Sequence, residues 1–109
     1  MEAPKRGDLI TLEFDNTQGH ELAGCRRAIV ISPLAYNRKT GLVIVCAITN
    51  QKKGYPFEVD IPKGLKVTGV VLSDQVGTID WEARHFRIED EAPIECTQRV
   101  IDKLSKLLQ

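Results

Sequence analysis

The stretch Leu42–Ile48 reads LVIVCAI, seven consecutive apolar residues of which four are β-branched, set between Gly41 and the polar Thr49-Asn50-Gln51. β-Branched side chains are stiff at χ1 and pack best on a pleated surface, so a run of this length suits a strand better than a helix. An uninterrupted apolar run has no solvent face, so the strand must be central and covered on both sides. It also falls well short of the roughly 18 residues needed to cross a membrane. A chain built around such a strand needs other strands to flank it and apolar side chains above and below.

Those partners are visible along the chain. Gly7–Phe14 (GDLITLEF) alternates Ile10, Leu12 and Phe14 with Thr11 and Glu13, the period of a half-buried strand. Arg27–Ser32 carries Ala-Ile-Val-Ile and stops at Pro33, which predicts a buried strand. Tyr55–Ile61 (YPFEVDI) alternates again, with Pro56 placing it at an edge or a strand start. Val67–Leu72 and Val76–Trp81 predict two short strands joined through Ser73-Asp74-Gln75, and residues 84–88 can add one more. Asp15–Gly24 (DNTQGHELAG) has no apolar period and reads as a loop longer than the usual hairpin connection, a kind that often carries function. Leu34–Gly41 predicts at most a short helical turn. After Pro93, Ile94, Val100, Ile101, Leu104, Leu107 and Leu108 recur at helical spacing. Pro93 suits the first helical position, and Glu89, Asp90, Glu91 and Glu95 suit the positive end of the dipole.

The expected fold is therefore mainly β: five to seven short strands in a small, partly open antiparallel barrel, with a C-terminal α-helix against one side or end. The 109 residues fit one domain, residues 1–109, because two separate cores would leave each half too small. At 42% apolar and 28% charged, the chain is not of the disordered class. Cys25, Cys46 and Cys96 have no CxxC spacing and are odd in number, and no signal-peptide pattern precedes them, which points to reduced thiols and a cytoplasmic setting. Cys46, inside the apolar run, reads as a small core residue. His20 and His85 stand far apart and neither neighbours a second ligand at a metal-binding spacing, so no metal or other cofactor is expected.

The net charge is zero, with 15 Lys and Arg against 15 Asp and Glu. Phosphate binding normally leaves a basic footprint. Here the balance hides an asymmetry: residues 1–57 carry eight bases against five acids, and residues 58–109 carry seven against ten. A basic face in the first half is compatible with a neutral total.

None of the common catalytic signatures is present; the chain lacks GxSxG, a P-loop, HExxH and GxGxxG. Polar residues at strand ends and in loops remain as candidates. His20-Glu21 lies in the long loop, Arg26-Arg27 at its exit, and Thr49-Asn50-Gln51 after the apolar strand. Adjacent residues on a strand point to opposite faces, so one arginine can face solvent while the other faces a cleft. Guanidinium forks match phosphate oxygens, although two surface arginines at a strand start are the commoner arrangement. Taken singly, Glu21 is an ordinary solvated carboxylate, Thr49 an ordinary strand end, and a lone loop histidine rarely a general base.

Read together, these segments resemble the MazF/PemK family of toxin ribonucleases. The resemblance runs through Gly7-Asp8-Leu9-Ile10, Phe14-Asp15, Gly19, Glu21, Gly24, Arg26 and Ala28-Ile29-Val30-Ile31-Ser32-Pro33. It continues through Tyr36-Asn37, Lys39-Thr40-Gly41, Gln51, the specific run Lys53-Gly54-Tyr55-Pro56-Phe57-Glu58-Val59, and Gly69–Val76 with Ile79 and Trp81. It implies an SH3-like barrel of the MazF/PemK/CcdB type, a homodimer with active sites near the subunit interface, and metal-independent cleavage of single-stranded RNA at short sequences. It also implies neutralisation by a cognate antitoxin. Toxins that poison DNA gyrase and non-catalytic SH3-like binding modules share the expected barrel, and the Arg26, Thr49 and KGYPFEV matches favour the nuclease.

The family's catalytic arginine falls on Arg26, its threonine on Thr49 and its loop glutamate on Glu21. RNA contacts are expected from Arg27, His20, Gln18, Asn37, Asn50, Gln51, Lys53, Tyr55, Phe57, Asp74 and Gln75, with Trp81 a further candidate aromatic and Arg38, Lys39 and Lys52 further candidate cations. Three positions depart from the family pattern. Arg27 stands where proline is common, Cys25 where histidine is, and Asn50 where threonine or serine is.

Overall fold

A computed structural model describes residues 2–14 and 24–109. Its elements are β1 (Asp8–Phe14), β2 (Gly24–Val30), α1 (Leu34–Thr40), β3 (Leu42–Thr49), β4 (Glu58–Asp60), β5 (Val70–Asp80), β6 (Phe86–Glu91) and α2 (Ile94–Leu107). The strands form one antiparallel sheet in the order β4-β5-β3-β2-β1-β6, open between β4 and β6. This is the expected partly open β architecture with a C-terminal helix. No helix among the described residues is long and apolar enough to cross a membrane.

The apolar run is central, as its composition requires. β3 lies between β5 and β2, and its side chains serve two cores. Cys46 and Ile48 pack with Leu9, Ile29, Val59, Val71, Cys96 and Val100 on the side covered by α2. Val43 and Val45 pack with Ile10, Leu12, Ala28, Val30 and Trp81 on the other. The alternation in β1 divides in the same way, Leu9 entering the first core and Ile10 and Leu12 the second.

Several boundaries differ from the sequence expectation, each for a physical reason. Leu34–Thr40 is a true seven-residue helix, closed by Gly41 at φ 73°, whose N–H bonds Asn37 O at 3.1 Å. A side chain at Gly41 would overlap the Glu82 carboxylate. The Tyr55–Ile61 strand shrinks to Glu58–Asp60, because Pro56 has no N–H and the preceding residues form a turn. The two short strands expected at 67–81 are one, β5, and it begins at Val70. Cys46 pairs with Val76 and Ile48 with Val71, so the four residues 72–75 face the single Ala47. Ser73-Asp74-Gln75 is therefore an excursion within a strand, not a joint between two. Pro93 is the N-cap of α2 and not its first residue, and Ile94 is 83% exposed, outside the apolar face.

Candidate functional site

The site is built where β3 runs past the end of its ladder with β2. That pairing stops at Ala28 opposite Ala47. Counted on in the same register, Arg27 stands across from Ile48 and Arg26 across from Thr49. Cross-strand partners share a face and successive residues alternate. Arg26 therefore belongs to the face of Thr49 and Ala28, and Arg27 to the face of Ile29 and Ile48. The core agrees, with Ile29 and Ile48 in one cluster and Ala28 in the other. Arg26 is exposed and Arg27 half-buried.

Thr49 ends β3 opposite Val70. Its Oγ1 accepts a hydrogen bond from the Gln51 N–H at 3.1 Å. A hydroxyl has one proton and two lone pairs, so accepting from Gln51 leaves the proton to be donated to another acceptor. Thr49 borders a cleft of about 330 Å³ lined also by Gln51, Lys53, Tyr55, Phe57, Glu58, Leu72, Asp74 and Gln75. The excursion at 72–75 supplies its far wall. A second depression of about 220 Å³ holds Arg26 and Arg27 with Ala47 and Ile48, and Gln75 borders both.

The near wall is held from behind. The Glu58 carboxylate accepts from the N–H groups of Lys53 at 3.0 Å and Gly54 at 2.9 Å, while the Glu58 N–H donates to Tyr55 O at 3.1 Å. Lys103 of α2 donates to Pro56 O at 2.5 Å. Tyr55 and Phe57 stand with ring centroids 5.3 Å apart at 35°, and Tyr55 is 50% exposed. An exposed, tilted aromatic pair beside side-chain amides offers stacking faces and base-edge contacts together.

Arg27 points elsewhere. Its Nη1 donates to Thr68 O at 2.5 Å. The Asn50 amide meets all its neighbours in one orientation: its nitrogen donates to Thr68 O at 3.1 Å and Thr68 Oγ1 at 3.2 Å, and its oxygen accepts from Arg27 Nη2 at 3.2 Å. Cys46, behind the cleft, has its thiol pushed up to about 11 by burial and, secondarily, by the Asp74 charge.

Seven of the residues expected to act on RNA thus meet in one cleft: Thr49, Gln51, Lys53, Tyr55, Phe57, Asp74 and Gln75. Asn37 does not join them, which corrects the expectation for it. It is fully buried, its amide donating to Pro4 O at 2.8 Å and Ser32 O at 3.2 Å while its oxygen accepts from Ser32 Oγ at 2.5 Å. Trp81 is also core, with its Nε1 donating to Asn37 O at 2.9 Å. Lys52 is paired with Asp60 at 2.9 Å and Arg38 with Glu2 at 2.8 Å. Glu21, His20 and Gln18 lie outside the described residues, as does the Cys25 side chain. Glu58 and Leu72 line the cleft without having been singled out. The spacing of Glu58 after Lys53-Gly54 was the available signal for the first, and nothing local marks Leu72 or Thr68.

Comparison with known proteins gives a consistent result. The chain is 52% identical over 105 residues, 96% of its length and 94% of the relative's, to the Endoribonuclease toxin MazF of Escherichia coli (strain K12). It is 33% identical over 109 residues, 95% of this chain and 81% of the other, to the Endoribonuclease PemK of Escherichia coli. Among solved structures it superposes on the MazE-MazF (Form-III) crystal structure from Deinococcus radiodurans with a TM-score of 0.90 at 43% identity, covering 97% and 96% of the two chains. MazF (Form-I) from the same organism gives 0.86 at 44% identity, covering 99% and 98%. A family model described as PemK-like, MazF-like toxin of type II toxin-antitoxin system matches residues 5–108, and this chain belongs to that family.

Proposed function

We propose that the chain is one toxin domain, residues 1–109, that cleaves single-stranded RNA at a short sequence in the cytoplasm and is held inactive by a cognate antitoxin. The observation that carries the reading is the 52% identity, over 96% of this chain, to a protein named Endoribonuclease toxin MazF. The cleft supports it chemically. RNA brings its own nucleophile, the 2′-OH, so the protein has only to align it, take its proton, stabilise charge on the phosphorane and protonate the departing 5′ oxygen. Arg26, on the face of Thr49, supplies fixed positive charge where negative charge develops. The Thr49 hydroxyl proton is donated to a phosphate oxygen. Glu21 is the proposed general base, with His20 the alternative. Gln18, Gln51, Lys53, Tyr55, Phe57, Asp74 and Gln75 hold and read the flanking nucleotides. The products are a 2′,3′-cyclic phosphate and a 5′-OH, no metal is required, and the working form is a homodimer.

The test is to incubate purified protein with a mixed single-stranded RNA in EDTA and sequence the fragment ends. Discrete cuts with cyclic phosphate and 5′-OH ends are expected. Cleavage that stops in EDTA overturns the metal-free step. Intact RNA accompanied by trapped gyrase–plasmid cleavage complexes overturns the nuclease reading itself.

A further inference from the structure

Arg27 is one of two adjacent arginines, and the register turns it away from the face shared by Arg26 and Thr49. Its guanidinium reaches two segments distant in sequence. One is Thr68, whose carbonyl oxygen accepts from Nη1 at 2.5 Å. The other is Asn50, whose amide oxygen accepts from Nη2 at 3.2 Å while its nitrogen donates to that same Thr68 carbonyl at 3.1 Å. Three groups thus close a ring of hydrogen bonds joining the middle of β2, the residue after β3 and the residue two before β5.

That ring sits directly against the backbone of Thr49. Gly69, the next residue after Thr68, has φ +116°, and a side chain there would overlap the Thr49 carbonyl oxygen and come within 2.7 Å of the Asn50 amide. Gly69 in turn is tied down by Ile61, whose N–H donates to Gly69 O at 3.0 Å. The Thr49 hydroxyl is oriented by the Gln51 N–H, so its direction depends on the backbone of residues 49–51. Whatever holds Asn50 therefore aims the Thr49 hydroxyl.

We propose that Arg27 is a positioning residue: with Asn50 and Thr68 it clamps the backbone behind Thr49 and so aims the Thr49 hydroxyl, leaving the phosphate to Arg26. A planar guanidinium suits this, since its N–H groups lie in a fixed fork that a lysine ammonium cannot reproduce. The inference rests on the endoribonuclease reading only for its consequence, since the clamp itself is independent of catalysis.

The experiment compares full-length wild type with Arg27→Ala, Arg27→Lys, Asn50→Ala and the Arg27→Ala/Asn50→Ala double variant on one single-stranded RNA oligonucleotide carrying the mapped cut site. A misaimed hydroxyl costs about 10- to 100-fold in kcat with KM little moved. Arg27→Lys is not expected to rescue it. The double variant should lose no more than the worse single one, because both remove the same clamp. The salt dependence of RNA binding should keep its slope, whereas loss of a phosphate contact on a single strand lowers it by about 0.7. A raised KM with unchanged kcat, a shallower slope, rescue by lysine, or additive losses would each overturn the proposal. Amide hydrogen exchange reads the clamp without RNA: exchange at residues 49–51 and 68–70 should quicken in both single variants while α2 is unchanged. Unaltered exchange at those residues overturns the clamp. A wild type that leaves RNA intact overturns the endoribonuclease reading instead, while the exchange data still decide the clamp.

Discussion

At the scale of single residues, polar side chains of similar appearance in the sequence do opposite work. Asn37 and Gln51 are both short polar amides near β3, yet one is fully buried and the other lines the cleft. Asn37→Ala would take the side-chain donor from Pro4 O and leave the Ser32 hydroxyl proton without its acceptor inside the protein. It should cost about 2–4 kcal/mol in urea unfolding, with RNA cleavage per folded molecule retained. Arg26→Ala should act chiefly on activity, lowering the cleavage rate by about 10²–10³ in a protein that still folds. Neither burial nor exposure could be read for Asn37, because its partners Pro4 and Ser32 are brought to it by the turn into β1 and the end of β2. The Arg26/Arg27 ambiguity is of the same kind. A strand places neighbours on opposite faces, but only the pairing with β3 says which face holds Thr49.

At the scale of elements, periodicity identified most strands and the helix but overreached at their ends. Ile94 and Val100 belong to one apolar helical pattern, yet Val100 is fully buried and Ile94 is 83% exposed. Val100→Ala should therefore cost about 2 kcal/mol, from two lost methyl groups and the space they leave. Ile94→Ala should stay within about 0.5 kcal/mol, and paired thermal melts distinguish the two. The Ser73-Asp74-Gln75 break shows the limit more sharply. Its polarity was legible, but polarity cannot tell a loop between strands from extra residues within one. The ladder decides it: β3 continues straight while β5 bows out over Ala47, and the bow carries Asp74 and Gln75 to the cleft.

At the scale of the whole molecule, zero net charge limits the nucleic-acid footprint without removing the partner. Lys52 and Arg38 are engaged by Asp60 and Glu2, which removes two of the cations counted in the basic half. A footprint of three or four phosphates on a single strand predicts a slope of log K against log salt of about −2 to −3, measurable by fluorescence anisotropy on an uncleavable oligonucleotide. A second whole-molecule expectation concerns alkaline pH. The fold holds the Cys46 thiol protonated up to about 11 against an ordinary 9.0, mainly by burial, and raises Cys96 in the same direction for the same reason. A raised pKa favours the folded state below pH 9, and that advantage is lost as pH climbs toward 11, so unfolding midpoints should fall across that window. Cys46→Ala should flatten the fall. The sequence by itself determined the β class, the central place of Leu42–Ile48, the helix after Pro93 and the family, because each rests on local periodicity or on ordered residue matches. Only the tertiary structure decided which arginine stands with Thr49, that Asn37 is core, and that Arg27, Asn50 and Thr68 meet. Those facts depend on register and on contacts between segments far apart in the chain, and no local pattern of side chains encodes them.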